Sequence, residues 1–286
     1  MRRISANVYA EMYFWGCNPG FLATSDGVLL IDSPQQPIDA LRWKERLGEH
    51  GRPRYLVNTE PHQDHIRGNA FFPEVEVIGQ TGLQARYDQM SPGFFSEEIV
   101  ERTKTEDPDS VHLIGHPDYP ANPVTRTFED GLDLRIGNHT VHFIHMPGHT
   151  APQTSVYIPQ EGVVFTGDNV FQKTRTWIQE GNPWEWLEAL ESIRALDVET
   201  IVPGHGEPCG KDYLDVQAQV IKDWVGAVED IIAKGITEDE AVKQPCPPVD
   251  PFPIGQRLFP RNAMVDEMNI RNVYKQVTAR KVTPAS

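Results

Sequence analysis

The sequence predicts an α/β protein in which two β-sheets are covered by helices. Three observations carry that prediction. Short strand signals dominate the first part and the middle of the chain, helical spacings are interspersed among them, and two longer helical stretches follow residue 180.

The elements follow in order. Residues 21–24 and 28–32 flank Ser25-Asp26-Gly27, a hairpin signal with Asp-Gly at the turn. The tract 37–47 has helical spacing, with Gly51 and Pro53 marking the break after it. Residues 55–58 form a short buried strand, 66–72 a short helix, and 75–79 the next strand. Residues 90–123 are polar, rich in Pro and Asp and poorly periodic, which predicts an inserted loop or lid. Strands are expected at 132–136, 140–145 and 154–158, and the apolar tract 162–166 leads to Asp168. Asn182-Pro183 opens a helix with an N-cap residue and Pro at its first position, and Trp184, Leu187, Leu190 and Ile193 take core spacing within it. Residues 200–202 form the last clear strand and lead to His205. A long helix runs from 212 to about 234, with Val216, Val220, Trp224, Val228 and Ile231 on one side. A Pro-rich break at 245–253 precedes a short amphipathic tail at 262–277.

Composition bounds the function. A chain of 286 residues with a formal net charge of −15 is a poor match for nucleic acid or an anionic membrane surface, which call for clustered Lys and Arg. A small-molecule substrate remains, since a local cation can override the global field. No stretch reaches the roughly 18 apolar residues of a membrane span, and the basic start at Met1-Arg2-Arg3 is followed by no apolar run of signal-peptide type. Cys17, Cys209 and Cys246 are odd in number and far apart, which implies no disulfide framework and points to a reducing compartment, the cytoplasm. No feature sets the oligomeric state.

The chemistry is concentrated in four places. Thr59-Glu60-Pro61-His62-Gln63-Asp64-His65 packs potential metal ligands closely. His149 in Met-Pro-Gly-His-Thr, Asp168 in Phe-Thr-Gly-Asp-Asn and His205 in Val-Pro-Gly-His-Gly each sit in a Gly-containing turn. Imidazoles and carboxylates converging from separate turns are what a binuclear metal site requires. Glu60, His62 and Asp64 alternate, so an extended segment would point all three one way, while a helix starting nearby would re-aim His65. Neutral imidazole and ionised carboxylate suit zinc, iron or manganese, and no Cys lies in any of these motifs.

These motifs, together with Asp32 at the end of an early strand, resemble the metallo-β-lactamase superfamily, and within it the glyoxalase II-like hydrolases more than the antibiotic-resistance enzymes. The resemblance runs from about Asn18 to Pro208. It implies an αββα four-layer sandwich over residues 1–210, with an insertion at about 86–125, and a C-terminal helical extension over 211–286 packed on the same domain. It implies further that His62 and His149 serve a first ion with whatever fills the position of Glu60. Asp64, His65 and His205 would serve a second, and Asp168 would bridge. The chain departs from the family at one ligand: Glu60 stands where the usual His-x-His-x-Asp-His has its first His. Glu60 is read either as a ligand or as a carboxylate beside a one-metal site. As a ligand, its harder oxygen favours iron or manganese over zinc and makes the centre a weaker Lewis acid unless a nearby cation compensates.

The remaining candidates each have two readings. Lys173 and Arg175 either hold a substrate carboxylate or phosphate over the metals or belong to a solvated loop. Trp177, Trp184 and Trp186 are pocket candidates, with Trp184 better placed in a helix core. His139, His142 and His145 share one strand segment and read as sheet-face residues; His50 reads as a surface residue, and His112 and His116 lie in the polar insertion. Asp32 is expected to fix the ligand-bearing loop.

The expected reaction is attack of a metal-activated hydroxide on a thioester, ester or lactone carbonyl, with Asp64 orienting it and passing a proton to the leaving group. No Gly-x-Ser-x-Gly occurs, so no covalent intermediate is expected. The alternatives are a non-haem iron oxidoreductase on the same ligands, persulfide dioxygenase-like or otherwise oxygen-activating, a β-lactamase, or a fold-retaining binding protein.

Overall fold

The computed structural model describes residues 1–90, 96–245, 247–254 and 262–282. Cys246 lies outside the described residues. Strands β1 (Arg2–Arg3), β2 (Val8–Ala10), β3 (Gly20–Thr24) and β4 (Gly27–Ile31) run antiparallel, with Thr24 paired to Gly27 across the Asp-Gly turn. β5 (Pro53–Val57), β6 (Glu76–Gln80) and β7 (Arg126–Phe128) then add parallel strands beside β4, completing a seven-stranded sheet.

Parallel neighbours need crossovers. Helix α1 (Pro37–Leu47) supplies the first; α2 (Gln63–Ile66) with a 3-10 turn at Arg67–Phe71 supplies the second. The third carries α3 (Thr81–Met90), α4 (Glu97–Glu106) and a 3-10 turn at Pro108–Leu113. The second sheet is a meander of β8 (Gly131–Ile136), β9 (His139–His145), β10 (Thr154–Ile158) and β11 (Val163–Phe165), closed by β12 (Thr200–Val202) parallel to β11. Helix α5 (Pro183–Ala195) bridges those two; α6 (Tyr213–Ala233), α7 (Glu238–Ala241) and α8 (Asn262–Val282) follow.

Strand periodicity assigns the layers. Leu29 and Ile31 of β4 face inward onto Phe143, Val156 and Phe165 of the second sheet, whereas Leu30 between them faces outward onto Trp43 and Leu47 of α1. On the other side, Val164 and Ile201 pack against Trp186, Leu190 and Ile193 of α5, Trp224 and Val228 of α6, and Val273 and Val277 of α8. The order is therefore helix, sheet, sheet, helix. Each fully buried large side chain contributes about 1.5–3 kcal/mol to holding those layers together.

Several expectations need correction. Residues 90–123 are not one irregular loop. Ser96 caps α4 by accepting a hydrogen bond from the Ile99 amide, and Ile99, Thr103 and Leu113 are buried. Few apolar residues are needed there because the outer layer is only one helix deep, so the periodic signal is faint. Helix α3 ends at Met90, where that tract begins, and α8 runs to Val282, beyond 277. In α5 the buried tryptophan is Trp186, while Trp184 stacks its ring under Arg280 at 4.3 Å.

Candidate metal centre

Every chemistry-bearing turn lies past the C-terminal end of a strand. Asp32 follows β4, Glu60 to His65 follow β5, His149 follows β9, Asp168 follows β11 and His205 follows β12. β4 and β5 are parallel, as are β11 and β12, and β9 is antiparallel to an antiparallel neighbour of β11, so within each sheet these ends share one edge. The sheets are tied there by the Thr154 amide donating to the Thr59 carbonyl at 2.7 Å.

Two glycines make the closeness possible. A Cβ on Gly204 would stand 1.9 Å from Asp168 Oδ1, so any side chain would push that carboxylate away. Gly167 has φ of +50° and leaves room for Thr59 and Gln153, whose side chains a Cβ would strike at 2.6 and 2.3 Å.

The predicted ligand residues come together in two adjoining groups, Glu60 with His62 and His149, and Asp64 with His65, Asp168 and His205. In the first, Glu60 Oε2 is 2.6 Å from His62 Nδ1 and 3.4 Å from His149 Nε2, and the two imidazole nitrogens are 3.1 Å apart. In the second, His205 Nε2 lies 3.2 Å from both Asp64 Oδ2 and Asp168 Oδ2, and His65 Nε2 lies 3.3 Å from Asp168 Oδ1. Asp168 also faces the first group, its Oδ2 being 3.6 Å from His149 Nε2. Glu60 reaches both as well, since Oε1 accepts from the Asp168 amide at 3.1 Å and lies 3.4 Å from His65 Nε2.

Whether a cation fits can be judged from what these atoms lack. Glu60 Oε2, His65 Nε2 and Asp168 Oδ1 are buried and have no hydrogen-bond partner among the described residues. Left so, each costs about 1–3 kcal/mol. The 2.6 Å approach of Glu60 to His62 therefore lacks hydrogen-bond geometry; both atoms point toward shared space. Four ligands about 2.1 Å from a tetrahedral ion are spaced about 3.4 Å apart, close to most of the separations above. The donor set fits divalent cations.

Alternation failed for one residue. His62 is the N-cap of α2, so the chain turns helical at Gln63 and Asp64 leaves the line of Glu60 and His62. That turn sends Asp64 and His65 to the second group.

Neighbouring groups aim the ligands. Asp32 adopts φ of +55°, a left-handed conformation that a short polar residue tolerates. Its carboxylate accepts from the Thr59 amide at 2.8 Å and the Thr59 hydroxyl at 2.7 Å, and bonds His65 Nδ1 at 2.9 Å. His149 Nδ1 bonds the Trp177 carbonyl at 2.8 Å, which leaves Nε2 to face the site. His62 Nε2 is 2.8 Å from Glu180, itself paired with Arg86 at 2.7 Å. Glu180 carries no sequence signal; a lone Glu before a Gly could not have been singled out.

The electrostatics follow from three carboxylates sealed among imidazoles. Burial opposes charge on His62, yet Glu60 and Glu180 push its pKa up to about 10. Burial likewise opposes charge on His205, and Asp168 and Asp64 outweigh it, again up to about 10. Asp64, which burial would protonate, is held down to about 2 by His65 and His205. His149 differs, since burial holds its pKa below the usual histidine value despite Glu60 and Asp168.

Residues 12–205 match the metallo-β-lactamase superfamily along more than half of the chain. The chain belongs to that superfamily. A hydroxyacylglutathione hydrolase of Brucella anthropi is 28% identical over 208 residues, 70% of this chain and 66% of that protein. A linear primary-alkylsulfatase of Pseudomonas sp. is 28% identical over 222 residues, 66% of this chain and 42% of that protein. The chain thus spans under two thirds of the length of these relatives. A metallo-β-lactamase from Pontibacter korlensis shares the fold with a TM-score of 0.58 at 18% identity, over 77% of this chain and 97% of that one. A stereoselective inverting sec-alkylsulfatase from Pseudomonas sp. does so with a TM-score of 0.66 at 14% identity, over 99% of this chain and 52% of that one. These two likenesses concern the fold alone.

Other sequence candidates lie apart. Lys173 is exposed with φ of +53° and does not line the cavity over the ligand groups. Arg175 is turned to the C-terminal helix, pairing with Asp266 at 2.6 Å and donating to the Phe252 carbonyl. Trp177 does line that cavity. His139, His142 and His145 bond Glu161, Asp133 and the Ala151 carbonyl, away from the site. No described helix is long and apolar enough to cross a membrane.

Proposed function

We propose that this chain is a metal-dependent hydrolase of thioester, ester or lactone bonds, acting on a small molecule. The observation that carries the reading is the set of buried, unpaired ligand atoms of Glu60, His65 and Asp168 facing one another across two groups. Glu60, His62 and His149 would hold one divalent cation, Asp64, His65 and His205 a second, and Asp168 would contact both. When bound, the pair would supply water that ionises near neutral pH and a polarised carbonyl.

The chain's own groups would do the rest. Asp64 lines the cavity, stays ionised, and is placed to orient the attacking water and carry its proton to the leaving alkoxide or thiolate. Asp32 and the Trp177 carbonyl keep His65 and His149 aimed, and the Glu180 carboxylate lies 2.8 Å from His62. The 350 Å³ cavity is of small-molecule size. The similarity to hydroxyacylglutathione hydrolases supports the thioester choice.

One observation favours a second reading, sulfate-ester hydrolysis: the linear primary-alkylsulfatase is as similar in sequence as the hydroxyacylglutathione hydrolase, at 28% identity over 66% of this chain. The test is metal quantification on protein purified without added metal, then a panel of thioesters, lactones, carboxylic esters and alkyl sulfates. Two metals per chain and turnover of a carbonyl ester are expected. Turnover coupled to oxygen consumption would overturn hydrolysis in favour of iron oxidoreductase chemistry on the same ligands.

A further inference from the structure

The cavity over the ligand groups has an apolar wall and little charge of its own. Phe171, Trp177, Met264 and Met268 line it from the helical layer on the second sheet. That wall runs up to the ligands. The Phe171 ring stacks on His205 with centroids 5.4 Å apart, and the Trp177 carbonyl bonds His149 Nδ1 at 2.8 Å. It is also held in place. Asn269, fully buried in α8 one residue after Met268, accepts from the Ile178 amide at 2.6 Å and donates to the Thr176 carbonyl at 2.8 Å, so it clasps the chain on both sides of Trp177. Asn272 donates to the Gly181 carbonyl at 2.7 Å. Outside the ligand groups, the rest of the described lining is Gln35, Gln63, Gln179 and Arg102. Arg102 sits on α4, whose Glu97, Glu98, Glu101 and Glu106 outnumber Arg102 and Lys104, so that helix brings no net positive charge to the cavity. The ligand groups hold three carboxylates, which cancel most of the charge that two divalent ions bring. A charged tail entering there would shed water without meeting a counter-charge. An alkyl or aryl group would meet aromatic and thioether surface that adapts to its shape.

Resting on the hydrolase reading, we propose that the cavity selects acyl compounds whose tail is apolar and uncharged, with Trp177 and Met268 as the residues that read it. The tail lies along Trp177, Met264 and Met268, and the scissile carbonyl falls over the ligand groups beside Phe171. The C-terminal helix α8 is thereby part of the substrate site. Sequence reasoning looked for a cation at Lys173 or Arg175 to hold an anionic substrate; the geometry points to apolar contacts instead.

The test needs no turnover, so it stands apart from the reaction class. Three probes are butanamide, hexanamide and the monoamide of adipic acid, which ends the longer chain in a carboxylate. Their binding is measured by ligand-observed NMR titration on protein as purified, with metal content read alongside. Wild type should bind hexanamide about tenfold more tightly than butanamide, since each buried methylene contributes about fourfold. It should bind the adipic monoamide about tenfold or more weakly than hexanamide. Met268→Gln should lose most of the gain with chain length at unchanged metal content. Lys275→Gln, exposed on the same helix and outside the cavity lining, should keep it. Should Met268→Gln fail to fold, Trp177→Gln carries the same expectation. No gain with chain length in wild type, or equal binding of the adipic monoamide, would overturn the proposal. So would a gain that survives in both Met268→Gln and Trp177→Gln, because the tail would then lie elsewhere. If the preference behaves as expected but no ester or thioester is hydrolysed, the reaction class falls and the recognition of apolar tails remains.

Discussion

Two regions of this molecule bury histidine against carboxylate, and they do it differently. At the far end of β9, Glu161 takes hydrogen bonds from the Ser5 hydroxyl, the Asn7 amide and side chain, and His139, leaving only the other nitrogen of His139 unpaired. One carboxylate meets enough donors, so the cluster is complete. At the strand-end rim, Glu60, Asp64 and Asp168 crowd against His62, His65, His149 and His205, and Glu60 Oε2, His65 Nε2 and Asp168 Oδ1 find no hydrogen-bond partner among the described residues. Buried charge that is satisfied by protein is structural; buried candidate ligand atoms left facing one another suit a guest cation.

Substitutions can break that contrast, beginning with the largest effect. Asp168→Ala removes the carboxylate facing both groups; bound metal should fall by at least one ion per chain and turnover by about a hundredfold or more, read by elemental analysis and assay. Unchanged metal content would end the ligand assignment. Gly204→Ala sharpens the point without touching a ligand. Its methyl would sit 1.9 Å from Asp168 Oδ1, so metal should be lost nearly as completely while circular dichroism stays native. Next comes Asp32→Ala, which removes the buried carboxylate that both Thr59 and His65 bond. Metal affinity should weaken by about ten- to hundredfold, and apo-protein stability should drop by about 1–3 kcal/mol in denaturant titration.

The smallest effect belongs to the satisfied cluster. Glu161→Gln should cost about 1–2 kcal/mol and leave metal binding untouched. Its pH signature is distinctive. Burial would raise the Glu161 pKa, but Ser5, Asn7 and His139 hold it down to about 2. A depressed carboxylate stabilises the fold above its unfolded pKa of about 4.5 and loses that contribution as pH falls from there toward 2. Melting temperatures of wild type and variant should therefore converge across that window. Parallel curves would show that the cluster contributes no charge-dependent stability.

Much of this was legible in one dimension. Asp-Gly between apolar runs sets the β3–β4 hairpin, Asn182-Pro183 starts α5, and the apolar tracts before Asp168 and His205 are β11 and β12, because local sterics and capping chemistry act between near neighbours. The residues that the structure gathers into two candidate groups were legible too, since a dense run of imidazole and carboxylate at 60–65 and Gly-His or Gly-Asp turns are local patterns. Three things were not. Asp64 departs from the alternation of Glu60 and His62 because a helix begins between them, and the weak periodicity of α4 hid a packed helix. Arg175 follows Asp168 closely in sequence yet turns to Asp266, whereas Arg102, far away in the chain, lines the cavity. Residue types and their turns are properties of short segments; which side chains face the site depends on how two helical layers close over one edge, and only long-range packing decides that.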